Sequence, residues 1–247
     1  MDKAIYIAMT GAKHFAYAQS VHANNLANAA TGGFKADMVQ ARSQGVYYGD
    51  GFSSRAYALS ETPATNFAAG PLNETGRDLD IAVDGDGWIA VQAPDGSEAY
   101  TRAGSLRLDP FGQLLTAQGH PVLGEGGPIS VPPAEKLDIG SDGTITIQPL
   151  GQGAALLTQV DRIKLVNPEP GSLHKGADGL IRSDGAAVLP ADGALRVQTG
   201  FLEGSNVDPV EALTGIIALA RQFEMQVKLM SSADEQSAAA SRLLQQL

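Results

Sequence analysis

The stretch Leu213–Met230, LTGIIALARQFEMQVKLM, decides the fold of this chain because it predicts a long helix with one apolar stripe. Its apolar residues recur at spacings of three and four, which is the pattern of a coiled-coil seam. The predicted seam consists of Leu213, Ile216, Ala220, Phe223, Val227 and Met230. Polar residues lie between these positions, so the helix needs a partner along one face.

The start of this C-terminal helix carries clear sequence signals. Asp208 is a good N-cap, Pro209 suits the first helical position, and Glu211 has the spacing of a capping box. The helix is predicted to run to about Leu244, a length of roughly 54 Å at 1.5 Å per residue.

A second helix is predicted at the N-terminus, ending near Asn28–Thr31 because Gly32 and Gly33 follow. Its seam consists of Ile5, Met9, Ala12, Ala16 and Leu26 and is poor in bulky side chains. At roughly 25 cal/mol per Å² of buried apolar area, such a stripe stabilises a single helix pair little. A bundle of many chains suits it better, and the pairing of the two ends into one small coiled coil is the alternative.

Between the helices the pattern changes to short β-rich runs from Arg77 to Thr199. Leu79–Val83 alternates apolar and polar residues, and repeated Asp-Gly pairs suit tight turns that need positive φ. The predicted fold class is α+β, with long terminal helices that form a coiled coil or bundle and a central antiparallel β-rich domain. The expected segments are an N-terminal assembly helix (1–31), a linker with one possible β-hairpin (32–76), the β-rich domain (77–203) and a C-terminal assembly helix (204–247).

Composition excludes several function classes. The 247 residues carry 17 Lys and Arg against 27 Asp and Glu, a formal net charge of −10. This balance argues against nucleic-acid binding, which needs a basic footprint. There is no run of basic residues that could hold anionic lipid and no span long enough for membrane insertion. The absence of Cys removes disulfides, thiolate nucleophiles and Cys-ligated metals.

No catalytic or metal-binding constellation is found in the sequence. The four His residues do not have metal-ligand spacing on one element. Asp84–Gly87 lacks the later ligand positions of a calcium loop and is interpreted as a tight hairpin turn. The chain also lacks the nucleophile elbow, the phosphate loop and the dinucleotide glycine pattern. We therefore expect no enzyme activity and no cofactor.

Two stretches near the ends of the chain resemble the N-terminal and C-terminal signatures of bacterial flagellar rod and hook proteins. They are Asn24–Lys35, NNLANAATGGFK, and Gly200–Glu211, GFLEGSNVDPVE. Between them, Gly85–Trp88, Tyr100–Gly104 and Gly112–Thr116 follow the β-domain pattern of that family, with Trp88 where Phe is more usual. The motif residues singled out are Asn24, Asn25, Leu26, Ala27, Asn28, Thr31, Gly33, Phe34, Lys35, Leu202, Glu203, Ser205, Asn206 and Val207.

The resemblance implies a structural subunit of the flagellar basal-body rod in the periplasm, needed for motility. It also implies export through the flagellar type III apparatus without a cleaved signal. Ala16–Ala18 imitates a signal-peptide cleavage site, but the helical period runs straight through it, which agrees with an uncleaved N-terminus. Copies of the chain and other rod proteins are the expected partners. Met1–Tyr6 and Ala220–Met225 are most similar to the proximal-rod member, and the distal-rod member is the alternative.

Two further alternatives stay open on the sequence. Outside the family, the chain could be an extracellular carbohydrate-binding or adhesin β-domain on a helical stalk. Within the first signature, Asn24, Asn25 and Asn28 either end the helix through local backbone bonds or contact neighbouring subunits and position the bend into the linker.

Overall fold

The computed structural model describes residues 4–47, 52, 55–61, 64–149, 157–169, 171–184 and 188–244. These residues form two helices, one near each end, with antiparallel strands between them, so the α+β class is confirmed. The chain divides into two compact units. Unit 1 takes the described parts of Met1–Asn28, Ala36–Asn66 and Val207–Leu247, and unit 2 takes those of Ala29–Lys35 and Phe67–Asn206.

Unit 1 contains helices α1 (Ala4–Ala27) and α2 (Pro209–Leu244), which pack against each other. A Cβ atom on Gly11 would lie 3.3 Å from the Gln226 side chain, and one on Gly215 would lie 3.2 Å from the His22 ring. The earlier residue of α1 thus lies near the later residue of α2, and the reverse, so the two helices run antiparallel.

Unit 1 also contains a β-hairpin of strands β1 (Gln40–Val46) and β2 (Arg55–Glu61). Gln40 lies opposite Glu61 and Gln44 opposite Tyr57 in an antiparallel register. Strand β2 contacts α1. The hairpin therefore lies in the segment that the sequence analysis assigned to a linker.

The N-terminus of α2 is capped as the sequence predicts. The Asp208 carboxylate accepts hydrogen bonds from the backbone amides of Val210, at 2.8 Å, and Glu211, at 3.2 Å. These bonds satisfy two of the amides that have no partner within the helix. The helix reaches Leu244, the last residue that the structure describes.

Unit 2 is built from small antiparallel sheets. Its strands are β3 (Leu72–Glu74), β4 (Ile81–Asp84), β5 (Trp88–Gln92), β6 (Glu98–Thr101), β7 (Leu106–Leu108), β8 (Leu114–Thr116), β9 (Ala134–Ile139), β10 (Thr144–Pro149), β11 (Thr158–Arg162), β12 (Leu165–Val166), β13 (Leu173–Lys175), β14 (Ile181–Ser183), β15 (Arg196–Thr199) and β16 (Phe201–Glu203). The largest sheet has the order β12-β5-β6-β14-β13, and a second has the order β11-β10-β9. The remaining pairs are β15 with β4, β16 with β3, and β7 with β8.

The turn at Asp84–Gly87 corrects one expectation. Gly85 has a φ of 74°, so a tight turn is present, but the strands on its two sides do not pair with each other. Strand β4 pairs with β15, whereas β5 pairs with β6 and β12. The turn therefore joins two sheets, and its interpretation as a hairpin is wrong, because turn residues alone do not determine which strands pair.

Two hydrophobic clusters form the core of unit 2. Most of the inward-facing aliphatic residues lie in one cluster, including Ile81, Ile89 and Leu106, which are fully buried. The second cluster centres on Trp88 and Tyr100. The Phe67 ring meets the Trp88 ring edge-on, with 5.7 Å between centroids. This second cluster underlies the place where the two family signatures meet.

Candidate assembly site

The helix pair of unit 1 contains an inner face that is partly buried in the single chain. On α1 this face consists of Ile5, Ala8, Ala12, Phe15, Gln19, His22 and Leu26, at alternating spacings of three and four. On α2 the inner face includes Ala212, Ile216, Leu219, Gln226 and Met230. Small side chains at Ala8, Ala12 and Gly215 allow the two helices to approach closely.

The predicted α1 seam lies only partly on this inner face. Ile5, Ala12 and Leu26 face inward, whereas Met9 and Ala16 are exposed, with Met9 at 51%. Ala8 and Phe15, one residue earlier in each case, take the inner positions. Met9 and Ala16 thus lie outside the inner face, and their place in an assembly seam stays a prediction.

The predicted α2 seam divides between two faces. Ile216, Phe223 and Met230 follow the spacing of the inner face, although Phe223 is 37% exposed. The other members belong to a neighbouring stripe, the outer stripe, which consists of Val210, Leu213, Ile217, Ala220 and Val227. Leu213 is 51% exposed and Val227 is 43% exposed. An exposed apolar stripe of this length is a surface suited to partner binding.

Asn25 connects the end of α1 to the chain that follows the bend. Its side-chain nitrogen donates to the Asp37 carbonyl at 2.8 Å, and the Asp37 amide donates back to its side-chain oxygen at 3.0 Å. The Thr65 hydroxyl donates to the Asp37 carboxylate at 3.1 Å. Asn25 is buried, so its geometry matches the bend-positioning alternative rather than simple helix-end polarity.

Asn28 behaves differently, because its side chain donates to the Asn24 carbonyl at 3.0 Å, a local bond of the helix end. The other residues of the first signature on the helix are Leu26, partly buried, and Ala27, exposed. In the loop, the Thr31 carbonyl accepts from the Phe34 amide at 3.3 Å.

In unit 2 the two signatures meet through a buried ionic cluster that we term the signature junction: Lys35, Arg102 and Glu203. Lys35 Nζ lies 2.6 Å from Glu203 Oε1, and Arg102 Nη1 lies 2.9 Å from Glu203 Oε2. All three side chains are at most 4% exposed. The Gly70 amide donates to Glu203 Oε1 at 3.0 Å, so one carboxylate receives donors from three separate segments.

Backbone bonds reinforce the junction. The Gly33 amide donates to the Glu203 carbonyl at 2.8 Å, and Lys35 Nζ also donates to the Ala68 carbonyl at 2.8 Å. Lys175 Nζ donates to the Lys35 carbonyl at 2.9 Å and lies 3.9 Å from the centre of the Phe34 ring. The segment Gly33–Lys35 is therefore held through both its backbone and its side chains.

The C-terminal signature contributes further partners. The Asn206 amide donates to the Phe34 carbonyl at 3.3 Å, and its side chain donates to the Ala68 carbonyl at 3.0 Å. Ser205 is buried, Leu202 lies in β16 opposite Asn73, and Val207 begins the return to unit 1. The structure thus brings Gly33, Phe34 and Lys35 together with Glu203 and Asn206.

Gly33 is required by the close approach of two backbones. Its φ is 71°, and a Cβ atom at this position would lie 2.3 Å from the backbone carbon of Arg102. Any side chain would therefore meet a strained conformation and a backbone clash together. The glycine lets the first signature lie directly against the strand end that carries Arg102.

The electrostatics of the junction follow from burial and pairing. Burial opposes ionisation of Glu203, but the bonds from Lys35 and Gly70 and the charge of Arg102 outweigh it, so the pKa of Glu203 lies below its usual value. Burial also lowers the pKa of Lys35, against the attraction of Glu203. The Trp88 ring centroid lies 5.2 Å from Arg102 Cζ and 5.8 Å from Lys35 Nζ, which adds cation–π attraction.

Sequence reasoning missed Arg102, Gly70 and Lys175 as partners of the signatures and noted Trp88 only as standing where Phe is more usual. One signal was present: Arg102 is the only charged residue in the motif Tyr100–Gly104. A charge inside a β-rich motif that is otherwise buried indicates a buried ionic partner.

Neither a metal site nor a membrane span is evident in the part of the chain that the structure describes. No three His, Asp or Glu side chains there converge as metal ligands. Among the same residues, neither helix is apolar enough along its length to cross a bilayer.

Three family models match the chain in order. They are the flagella basal body rod protein model (residues 5–35), the flagellar hook protein FlgE/F/G D1 domain (82–147) and the flagellar basal body rod FlgEFG protein C-terminal model (198–243). Together they cover both signatures and much of unit 2. This chain belongs to the flagellar basal-body rod protein family and is a structural rod subunit rather than an enzyme.

Comparison with individual members of the family shows which of them the chain is similar to. The flagellar basal-body rod protein FlgF of Salmonella typhimurium is 46% identical, with 99% of each chain covered. FlgF of Escherichia coli is 45% identical, again with 99% of each chain covered. FlgG of Bacillus subtilis is 34% identical over 95% of this chain and 96% of its own. The resemblance to FlgF, which the first and last segments of the sequence favoured, is confirmed.

Proposed function

We propose that α1 and α2 pair as an antiparallel coiled coil and that the outer stripe of α2 packs against neighbouring subunits in the rod. The exposed apolar stripe carries this proposal, because Val210, Leu213 and Ile217 have no other need to be apolar. Helix α2 thus has two apolar faces: the inner face, which α1 covers, and the outer stripe beside it. This arrangement suits the wall of a tube in which each helix packs against several others.

Assembly into a rod follows from the symmetry of such contacts. A contact between different surfaces of identical subunits that does not close into a ring generates a helical filament. The thin seam of α1 supports the same view, since Ala8, Ala12 and Ala16 bury little area in one pair but allow close approach in a bundle. The predicted seam residues that lie outside the inner face, Met9, Ala16, Leu213, Ala220 and Val227, are proposed to face other subunits.

The place of the subunit is proposed from the relatives. The higher identity to FlgF supports a position in the proximal rod, and the distal rod, as for FlgG, is the second candidate. Copies of the chain, other rod and hook proteins and the flagellar export apparatus are the proposed partners. The proposed location is the periplasmic part of the basal body, reached without a cleaved signal. The family assignment leaves the adhesin alternative without support.

Leu213→Asp tests the outer stripe. Position 213 lies in the second turn of α2, near the helix N-terminus, where a negative charge is compatible with the helix dipole. The substitution should therefore leave α2 folded but bury a charge at a subunit contact, which is strongly unfavourable. We expect loss of motility and loss of the chain from purified basal bodies, measured by swimming assays and immunoblotting.

Gln222→Asp is the matched control, because Gln222 is an exposed polar residue on another face of α2. It should leave motility and incorporation near wild type. Normal incorporation of the Leu213→Asp variant would contradict the assignment of the outer stripe.

A further inference from the structure

The signature junction joins parts of the chain that are far apart in sequence. Lys35 and Glu203 are 168 positions apart, and Arg102 and Glu203 are 101 apart. The docked segment, Ala29–Lys35, belongs to unit 2 although the residues on both sides of it, Asn28 and Ala36, belong to unit 1. The chain thus leaves unit 1, docks on unit 2 for seven residues and returns.

Glu203 is the common acceptor for this docking. Its carboxylate binds Lys35, Arg102 and the Gly70 amide, and its carbonyl binds the Gly33 amide. Three chain segments, those of Gly33–Lys35, Gly70 and Arg102, therefore depend on one residue at the end of β16. The two points where the chain leaves unit 2, after Lys35 and after Asn206, are held next to each other by the same set of bonds.

The chemistry of the junction favours specificity over stability. Burial of an ion pair gains little net free energy, but removal of one partner leaves an uncompensated buried charge and is strongly destabilising. Arg102 Nε is buried without a hydrogen-bond partner among the described residues, so the guanidinium relies on Glu203 and on two backbone carbonyls. If the docked segment moved away, Glu203 would lose its bond to the Lys35 cation. Only the observed position of the docked segment therefore gives Glu203 all of its partners.

We propose that Glu203 is a positioning residue for rod assembly: by holding the docked segment against the end of β16, it fixes the spacing between the points where the chain leaves unit 2 toward β1 and toward α2. This inference rests on the proposed function for its consequence in the rod. The docking itself is independent of assembly, because every contact involved lies within unit 2.

Limited trypsin digestion of the full-length chain measures the docking directly. The bond after Lys35 is a trypsin site whose side chain is 1% exposed, so cleavage there requires opening of the docked segment. Glu203→Ala should accelerate cleavage after Lys35 by more than about tenfold, since Lys35 and Arg102 lose the buried carboxylate that they both bind. Glu74→Ala, an exposed glutamate on the paired strand β3, is the matched control and should leave the rate unchanged.

Two internal readouts separate docking from general unfolding. Cleavage after Arg42, an exposed site in β1, should keep its wild-type rate. A cooperative denaturant unfolding transition, followed by the emission of Trp88, the only Trp, should show that unit 2 is still folded. Rod incorporation of Glu203→Ala should fall despite normal cellular levels and a folded unit 2.

Unchanged cleavage after Lys35 in Glu203→Ala would overturn the proposal, as would faster cleavage with normal rod incorporation. If Glu203→Ala unfolds unit 2, the isosteric Glu203→Gln decides. A folded Glu203→Gln chain with faster Lys35 cleavage and reduced incorporation supports a positioning role, whereas unfolding of this variant as well assigns Glu203 to the core alone. If the proposed function of the outer stripe is wrong, a different result shows it: the Leu213→Asp variant would enter the rod normally.

Discussion

Glu203 shows how a carboxylate can lie almost fully buried in a chain of net charge −10. Ionised carboxylates are rarely buried without partners, because desolvation costs several kcal/mol. Here two cations and one backbone amide surround the group. The cations in turn lie beside the Trp88 ring, which gives them a further attractive neighbour.

The depressed pKa of Glu203 predicts a pH dependence of stability. A carboxyl group with a folded pKa below its usual value of 4.5 contributes stability that is complete above that value and is lost as the pH falls through the folded pKa. Unit 2 should therefore lose stability below about pH 4.5 partly through Glu203. Denaturant unfolding followed by Trp88 fluorescence between pH 3 and pH 7 measures the loss.

Glu203→Gln isolates this contribution from those of the other carboxylates. The variant should be less stable than wild type near pH 7, and the gap should narrow as the pH falls, because only the wild type has the Glu203 proton to bind. If the free energies of unfolding of the two chains changed in parallel with pH, the pKa of Glu203 would be the same in the folded and unfolded states, against this prediction.

At the scale of elements, local signals predicted α2 and many of the strands. Asp208 and Pro209 marked the start of α2 from their own chemistry, and β4 overlaps the alternating stretch Leu79–Val83. Helix faces were harder to predict. Ala8 and Met9 differ by one position, and hydrophobicity alone favours the larger Met9, whereas close packing of two helices selects the smaller Ala8.

The N-cap of α2 offers a quantitative test at this scale. Asp208→Ala removes the acceptor of two amide hydrogen bonds and should destabilise the helix by about 1 kcal/mol. Asp208→Asn keeps an acceptor oxygen and should stay close to wild type. Amide hydrogen exchange at Val210 and Glu211 measures the difference. Equal protection in both variants would mean that tertiary packing, not the cap, holds the first turn.

At the scale of the whole molecule, the signature junction could not be predicted because its partners are more than 100 positions apart. A single sequence shows that Lys35 and Glu203 lie in family signatures but not that they contact each other. The same distance explains why the β-domain was predicted to begin at residue 77, whereas unit 2 takes in the chain from Phe67 and the docked segment Ala29–Lys35.

Assembly should change the helix content of the molecule. Helix α1 has 24 residues and few bulky apolar side chains on its inner face, and isolated helices are marginal in water. The outer stripe of α2 has no partner chain in dilute solution. Few contacts therefore offset the loss of conformational entropy when the two helices form. We expect the free chain to have less helix than the 24 and 36 residues of α1 and α2, and to gain helix on assembly.

Circular dichroism of the dilute chain, compared with the chain assembled with rod partners, tests this expectation. Hydrogen exchange should locate the gain in α1 and α2, while unit 2 stays protected in both states because its core clusters are complete within one chain. A monodisperse monomer with fully formed helices would contradict the expectation. The inner faces of α1 and α2 would then suffice without neighbours, and only the outer stripe would be left to assemble the rod.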